Sequence, residues 1–301
     1  MNKNIAASVR ARLLNLAKAQ GVDFNQVLVR FALERILYRL SQSAHADRFL
    51  LKGALLFTLW YDMPHRSTRD ADLLGFGPSD LNSIEQTFRD IAGVNAEDGM
   101  VFDPASVTAE EIRKEAGYAG ARVLISGEIA KARCKTQIDI GFGDAVTPGP
   151  VDATYPVLIN DLPAPRLHTY PVYTVVAEKL HAIALLGMTN SRLKDYLDLS
   201  VLLDREALDA EILAGAIAAT FNRRAMAVPS SLPVGLTDEF SGDATRQALW
   251  HAFLRKNELP GQALPDIVTM LRKVLEPTLC RATALDVHQE GKTQRKTGEE
   301  S

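Results

Sequence analysis

The chain has 301 residues, 47% hydrophobic and 24% charged, with a formal net charge of −3. That composition is globular and excludes disordered, fibrous and disulfide-stapled classes. No apolar run approaches the roughly 18–20 residues that cross a bilayer. The opening "MNKNIAASVRARLLNLAKAQ" lacks the apolar centre of a signal peptide. Cys134 and Cys280 fit no metal-ligand spacing, so reduced thiols, no membrane and a cytoplasmic setting are expected. Charge is spread unevenly: residues 1–52 carry nine Lys or Arg against three Asp or Glu, and residues 53–130 six against thirteen. A basic segment beside an acidic one suits an anionic partner brought to an acidic centre, though two solvated surfaces would read alike.

Helices are predicted over 5–20 and 24–42, the second on Val27, Leu28, Phe31, Ile36 and Leu40 at three- and four-residue steps. In "RFLLKGALLFTLWYD", "FLL" closes an element, "KGA" turns, and "LLFTLWY" is a helix stopped near Pro64. A short strand follows at Ala71–Leu74, and Asp80 caps a helix over 81–92. "RVLISGEI" and "TQIDIGFG" read as strands joined through "AKARCK". Ile138 and Ile140 face one side there, Gln137 and Asp139 the other.

The proline-rich stretch from Asp144 to Pro171 reads as a connector. Beyond it lie a helix ending at Gly187, a second capped by Asn190 or Ser191, and further helices at 206–221, 243–256 and 264–276. The expected organisation is 1–165 for N-terminal helices plus a small mixed-sheet lobe, 166–285 for a helical lobe, and 286–301 for a disordered tail. The fold class is α/β, or α+β in looser terms.

The chemistry gathers at "HRSTRDADLLGFG". On a strand, Asp70 and Asp72 share one face. Two like charges there repel unless an arginine, screening water or Mg²⁺ offsets them. Asp139 can add a third hard oxygen ligand from a later strand, a set that suits Mg²⁺ and substrate phosphates. An arginine-neutralised strand end is the plain alternative. Upstream, Lys52, Gly53 and Ala54 precede a helix start whose N–H groups suit phosphate.

The order of glycine turn, helix, D-x-D strand and distal acid resembles the nucleotidyltransferase superfamily. "FLLKGALLFTLW", "RSTRDADL", "QIDIGFGDAV", "AEKLHAI" and "NSRLKDYLDL" together resemble AbiEii/AbiGii-type toxin nucleotidyltransferases. The resemblance implies Asp70, Asp72 and Asp139 as metal-binding catalytic carboxylates, Asp139 being ligand or base. It implies nucleotide contacts from Lys52, Gly53, Arg66, Ser67 and Thr68, and a catalytic Lys179 oriented by Asp195. Asp198 is a lesser candidate, and Lys179 by itself could simply snorkel. Lys179 and Asp195 are expected to reach across a cleft between two lobes. Ala54 departs from the serine common in the superfamily, which removes a side-chain phosphate contact.

The implied activity is Mg²⁺-dependent transfer of NMP from an NTP to the tRNA 3′ end, blocking aminoacylation, by the toxin of a toxin–antitoxin or abortive-infection pair. An antitoxin from the same operon is the implied partner, and phosphorylation at Ser67 or Thr68 would silence the site. A protein acceptor and a non-catalytic nucleotide- or RNA-binding regulator are the alternatives. His181 reads as helix packing. His65 is left open between phosphate and solvent, and the run at 222–224 is a candidate for nucleic-acid backbone contact.

Overall fold

The computed structural model describes residues 3–61, 68–113 and 119–298. It divides into two compact units, residues 1–143 with 151–170, and residues 144–150 with 171–301.

The first unit opens on α1 (Lys3–Gln20) and α2 (Phe24–Ser41), with Asp23 capping α2 through Asn25 N. Then come β1 (Phe49–Lys52), α3 (Leu55–Tyr61), β2 (Asp70–Gly75) and α4 (Leu81–Gly93). Asp80 caps α4 by accepting from Ser83 N at 2.9 Å. β3 (Val101–Phe102), β4 (Thr108–Arg113), β5 (Ala119–Ile129) and β6 (Ala132–Phe142) follow. β7 (Val151–Thr154) and β8 (Arg166–Thr169) complete one mixed sheet.

Its order is β3-β5-β6-β2-β1-β8-β7, with β4 also paired to β5. β2 runs parallel to β6 and antiparallel to β1, and β5 and β6 form a hairpin. The hairpin turn is only Ala130–Lys131, both at positive φ. It is therefore tighter than the connector read from "AKARCK", a change that sets the register.

The core face of this sheet is apolar. Leu51, Ala71, Leu73, Val123, Ile138 and Ile140 are all buried, and each buried Leu, Val or Ile contributes about 1.5–3 kcal/mol. α2 packs against β6 and β8 and is buried on more than its apolar stripe. Arg39 forks onto Asp98 at 2.7 and 3.1 Å and also reaches Met100 O. Arg35 pairs with Glu34, and Arg12 with Asp161. Much of the positive charge of residues 1–52 is thus spent inside this unit rather than offered to a partner.

The proline-rich connector was expected to join two lobes. Its β7–β8 hairpin instead extends the sheet, because β8 pairs in parallel with β1. The break between units therefore falls after Tyr170 rather than at 165, and residues 144–150 belong to the second unit.

The second unit contains α5 (Val172–Leu186), α6 (Leu193–Arg205), α7 (Ala210–Arg223), α8 (Asp238–Gly242), α9 (Ala244–Lys256) and α10 (Leu264–Gly298). Residues 172–189 are long and apolar enough to cross a membrane, contrary to the sequence expectation. α5 nevertheless buries Val175, Val176, Leu180 and Ile183 inside the unit, against α6 and α7. Gly187 ends α5 at φ +49°, as expected. Arg192 stands at the α6 cap position instead of Asn190 or Ser191, and Asn190 Oδ1 accepts from Arg192 N in the lead-in turn. α10 continues to Gly298, where composition suggested disorder. Extending an anchored helix costs far less than starting one, and Gln, Lys and Arg are good formers.

His181 lies in the α5–α7 packing, edge-on to Phe221 at 5.0 Å, with Arg224 Nη1 facing its Nδ1 at 3.4 Å. Burial first, and the Arg224 charge second, push the imidazole down to about 4. The unfolded chain binds this proton near the ordinary histidine value of about 6.5, and the folded chain does not until about 4. Stability is therefore lost as pH falls through that window, by about 2–3 kcal/mol. His181→Gln should remove that part of the acid sensitivity, read as a smaller drop in urea midpoint between pH 7 and pH 4.5 than in the parent.

Candidate active site

The sheet register lines up charged residues across five strands. Glu110 on β4 stands opposite Arg122 on β5, and Arg122 opposite Asp139 on β6. Asp139 stands opposite Asp72 on β2, and Asp72 opposite Lys52 on β1. Residues directly opposite share a face. Asp70, two places before Asp72, joins the same face. Asp70 and Asp72 are half-buried, whereas Asp139 is buried.

Gly53 is shaped by this row. Its φ is +75°, and a Cβ there would lie 2.8 Å from the Asp72 Cβ. Only glycine offers both the left-handed backbone and the space. α3 starts immediately after, with Leu56 N donating to Gly53 O and Phe57 N to Ala54 O. Lys52 is buried, donates to the Tyr170 hydroxyl at 3.3 Å, and lies 5.1 Å from that ring's centre. Thr68 Oγ1 donates to Asp70 Oδ1 at 2.7 Å. Arg66 and Ser67, like His65, lie outside the described residues.

Asp139 has partners of its own on this face. Arg122 holds both of its oxygens, Nε to Oδ1 and Nη2 to Oδ2, each at 2.9 Å. Gln137 adds a bond to Oδ1 at 3.2 Å. The hydrogen bond to Asp139 raises the Arg122 pKa against the opposing effect of burial. Among the described residues, no three or more His, Cys, Asp or Glu side chains gather as a metal cage. Asp139 thus stands beside the Asp70–Asp72 pair with both carboxylate oxygens bonded to the Arg122 guanidinium.

That pair still fits Mg²⁺, which is commonly held by one or two carboxylates together with substrate phosphates. Asp70 and Asp72 together carry two formal negative charges, the amount one divalent cation offsets.

Arg122 escaped the sequence reading. Counting back from a two-residue turn at Ala130–Lys131 would have set it opposite Asp139. A connector drawn across "AKARCK" hid that register.

The second unit holds the other predicted residues. Lys179 Nζ donates to Asp195 Oδ1 at 2.8 Å and to Asp198 Oδ2 at 2.6 Å. Arg192 Nε donates to Asp195 Oδ2 at 2.7 Å. The Lys179–Asp195 pair therefore joins α5 to α6 within the second unit. Asp198, the lesser candidate, takes the shorter bond. Both aspartates are buried. Burial alone would lower the lysine pKa, but Asp195 and then Asp198 outweigh it and hold it above the usual range. Arg224, from the run expected to contact nucleic acid, pairs instead with Asp144 and Glu178, both at 3.1 Å.

The family model for the nucleotidyl transferase AbiEii toxin of type IV toxin–antitoxin systems matches residues 35–273. The chain belongs to the AbiEii family. As a member it is a toxin nucleotidyltransferase, and the family implies a nucleoside triphosphate substrate and an antitoxin partner. Two solved structures resemble it. One is the crystal structure of a "putative nucleotidyltransferase from H. pylori", 14% identical, covering 88% of this chain and 99% of that one with a TM-score of 0.48. The other is JHP933 from Helicobacter pylori, 13% identical, covering 89% and 97% with a TM-score of 0.48. No curated protein matches the chain.

Two substitutions probe these arrangements. Gly53→Ala should abolish transfer activity and cost about 1–3 kcal/mol, since it combines an unfavourable φ with a clash against Asp72. Thermal melting and a transfer assay on the same preparation would check it. Lys179→Met should cost about 3–5 kcal/mol by leaving buried carboxylates uncompensated. Adding Asp195→Asn and Asp198→Asn should restore much of that in denaturant unfolding.

Proposed function

We propose that the protein transfers a nucleoside monophosphate from a nucleoside triphosphate to the 3′ end of tRNA, which blocks aminoacylation and so translation. The observation that carries this reading is the in-register row of Asp72 and Asp139 with Asp70 beside it, crowded against a glycine that leaves no room for a side chain. A sheet has little reason to concentrate carboxylates on one face unless a cationic ligand completes it.

In the reaction, the acceptor oxygen bonds to the α-phosphorus as the α–β phosphoanhydride bond breaks. Pyrophosphate leaves with the bonding electrons. The hydroxyl proton passes to Asp139 Oδ2, which accepts one hydrogen bond where Oδ1 accepts two. Lys52, the backbone at Gly53–Ala54, and the predicted contacts Arg66, Ser67 and Thr68 are the proposed phosphate-binding groups. Mg²⁺, held by Asp70 and Asp72, supplies electrostatic stabilisation of the phosphates when bound. Arg122 keeps Asp139 oriented. For Lys179 we propose phosphate neutralisation, with Asp195 and Asp198 fixing its ammonium.

The test is incubation with Mg²⁺, each α-labelled triphosphate in turn and total tRNA, with Asp70→Ala in parallel. Label should enter tRNA with the parent and fall by at least about a hundredfold with the variant, as expected for losing a group that stabilises developing charge. Label in added cell protein instead would replace tRNA with a protein acceptor. Label in neither, for all four nucleotides, would overturn the catalytic reading.

A further inference from the structure

The charged row on the sheet holds one contact that works against a cation at Asp70 and Asp72. Arg122 forks over both oxygens of Asp139, each at 2.9 Å. A divalent ion brought to the aspartate pair meets that guanidinium on the neighbouring carboxylate, like charge facing like charge. The register offers Arg122 a second partner. Glu110 on β4 stands directly opposite it, on the side away from Asp139, and such cross-strand neighbours have Cβ atoms about 4.5–5.5 Å apart. Glu110 is exposed and, among the described residues, its carboxylate is in no ion pair.

The field at Arg122 comes from both directions. The hydrogen bond to Asp139 raises its pKa first, and the charges of Glu110 and Asp70 add to the rise. Arg122 is also the more exposed member of its pair, 33% against 11% for the Asp139 side chain. A swing toward Glu110 would carry the guanidinium outward from one carboxylate to another. It would keep a counter-charge and gain water. A divalent ion attracts Asp139 more strongly than a single charge at the same distance, and repels Arg122 more strongly too. Without that ion, the fork onto Asp139 is the better arrangement.

We propose that Arg122 is a latch on Asp139, released toward Glu110 when a divalent cation occupies Asp70 and Asp72. The inference rests on the transfer reading above and deepens it with a resting state. In that state Arg122 orients Asp139 and covers both of its oxygens. Release leaves Oδ2 open to the acceptor hydroxyl. Arg122 and Glu110 are positioning residues, since both act through Asp139.

Titration of the full chain with Mn²⁺, followed through the paramagnetic resonance signal of the free ion, tests the latch without turnover. Arg122→Gln should bind Mn²⁺ roughly fivefold or more tightly than the parent, as expected for removing a coupling of typical size. Glu110→Gln should bind it more weakly. Glu111→Gln makes the same charge change at the next exposed position of β4, on the other face, and should match the parent. In the Arg122→Gln background the Glu110→Gln effect should disappear. Parent-like or weaker binding by Arg122→Gln would overturn the proposal, as would no binding by either. A Glu110→Gln effect that persists without Arg122 would overturn it as well. Thermal melting checks folding, and if Arg122→Gln proves unstable the two exposed positions decide. Equal binding by the Glu110 and Glu111 variants then removes the latch. The two readings fail separately. This coupling in a chain that transfers no label removes the transfer reading alone, whereas transfer without the coupling removes the latch alone.

Discussion

The first unit depends on one electrostatic constraint, the placement of Asp72 and Asp139 on adjacent parallel strands in the same register. Neighbouring strands lie about 4.8 Å apart, and ladder hydrogen bonding fixes that spacing. The two charges cannot drift apart without breaking the sheet. Compensation is built into the same row. Lys52 lies beyond Asp72, and Arg122 forks Asp139 through both of its oxygens. The apolar side of the same strands explains why the row can hold. Ala71, Leu73, Ile138 and Ile140 are buried, so a one-residue slip in register would carry carboxylates into the core.

The second unit meets a similar problem with helices. Asp195 and Asp198 are buried on α6, and neither is tolerable there unless paired. Lys179 from α5 serves both, and Arg192 serves Asp195 as well. An ammonium held this way loses its freedom to swing and keeps its charge. It also ties two core helices together.

The chain belongs to the AbiEii family of toxin nucleotidyltransferases, and each unit holds its buried carboxylates by its own local pairing. The first unit gathers Asp70, Asp72 and Asp139 on one side of the sheet and keeps the other side apolar.

The sequence by itself determined the local elements and the identity of the charged candidates. Alternation in "TQIDIGFG" separated Asp139 from its apolar neighbours, the i, i+2 spacing set Asp70 and Asp72 on one face, and Asp80 and Gly187 marked helix ends that the structure keeps. These signals survive because they depend on backbone periods and on hydrogen bonds within a few residues. Pairing across strands and between helices was decided only by the tertiary structure. The two-residue turn at Ala130–Lys131 brought Arg122 to Asp139, and β8 joined β1 from within a proline-rich stretch. Asp198 proved as close to Lys179 as Asp195, because one helical turn of α6 faces one point on α5. Such contacts join residues distant in sequence, and each charge settles on whichever partner the packing brings within reach.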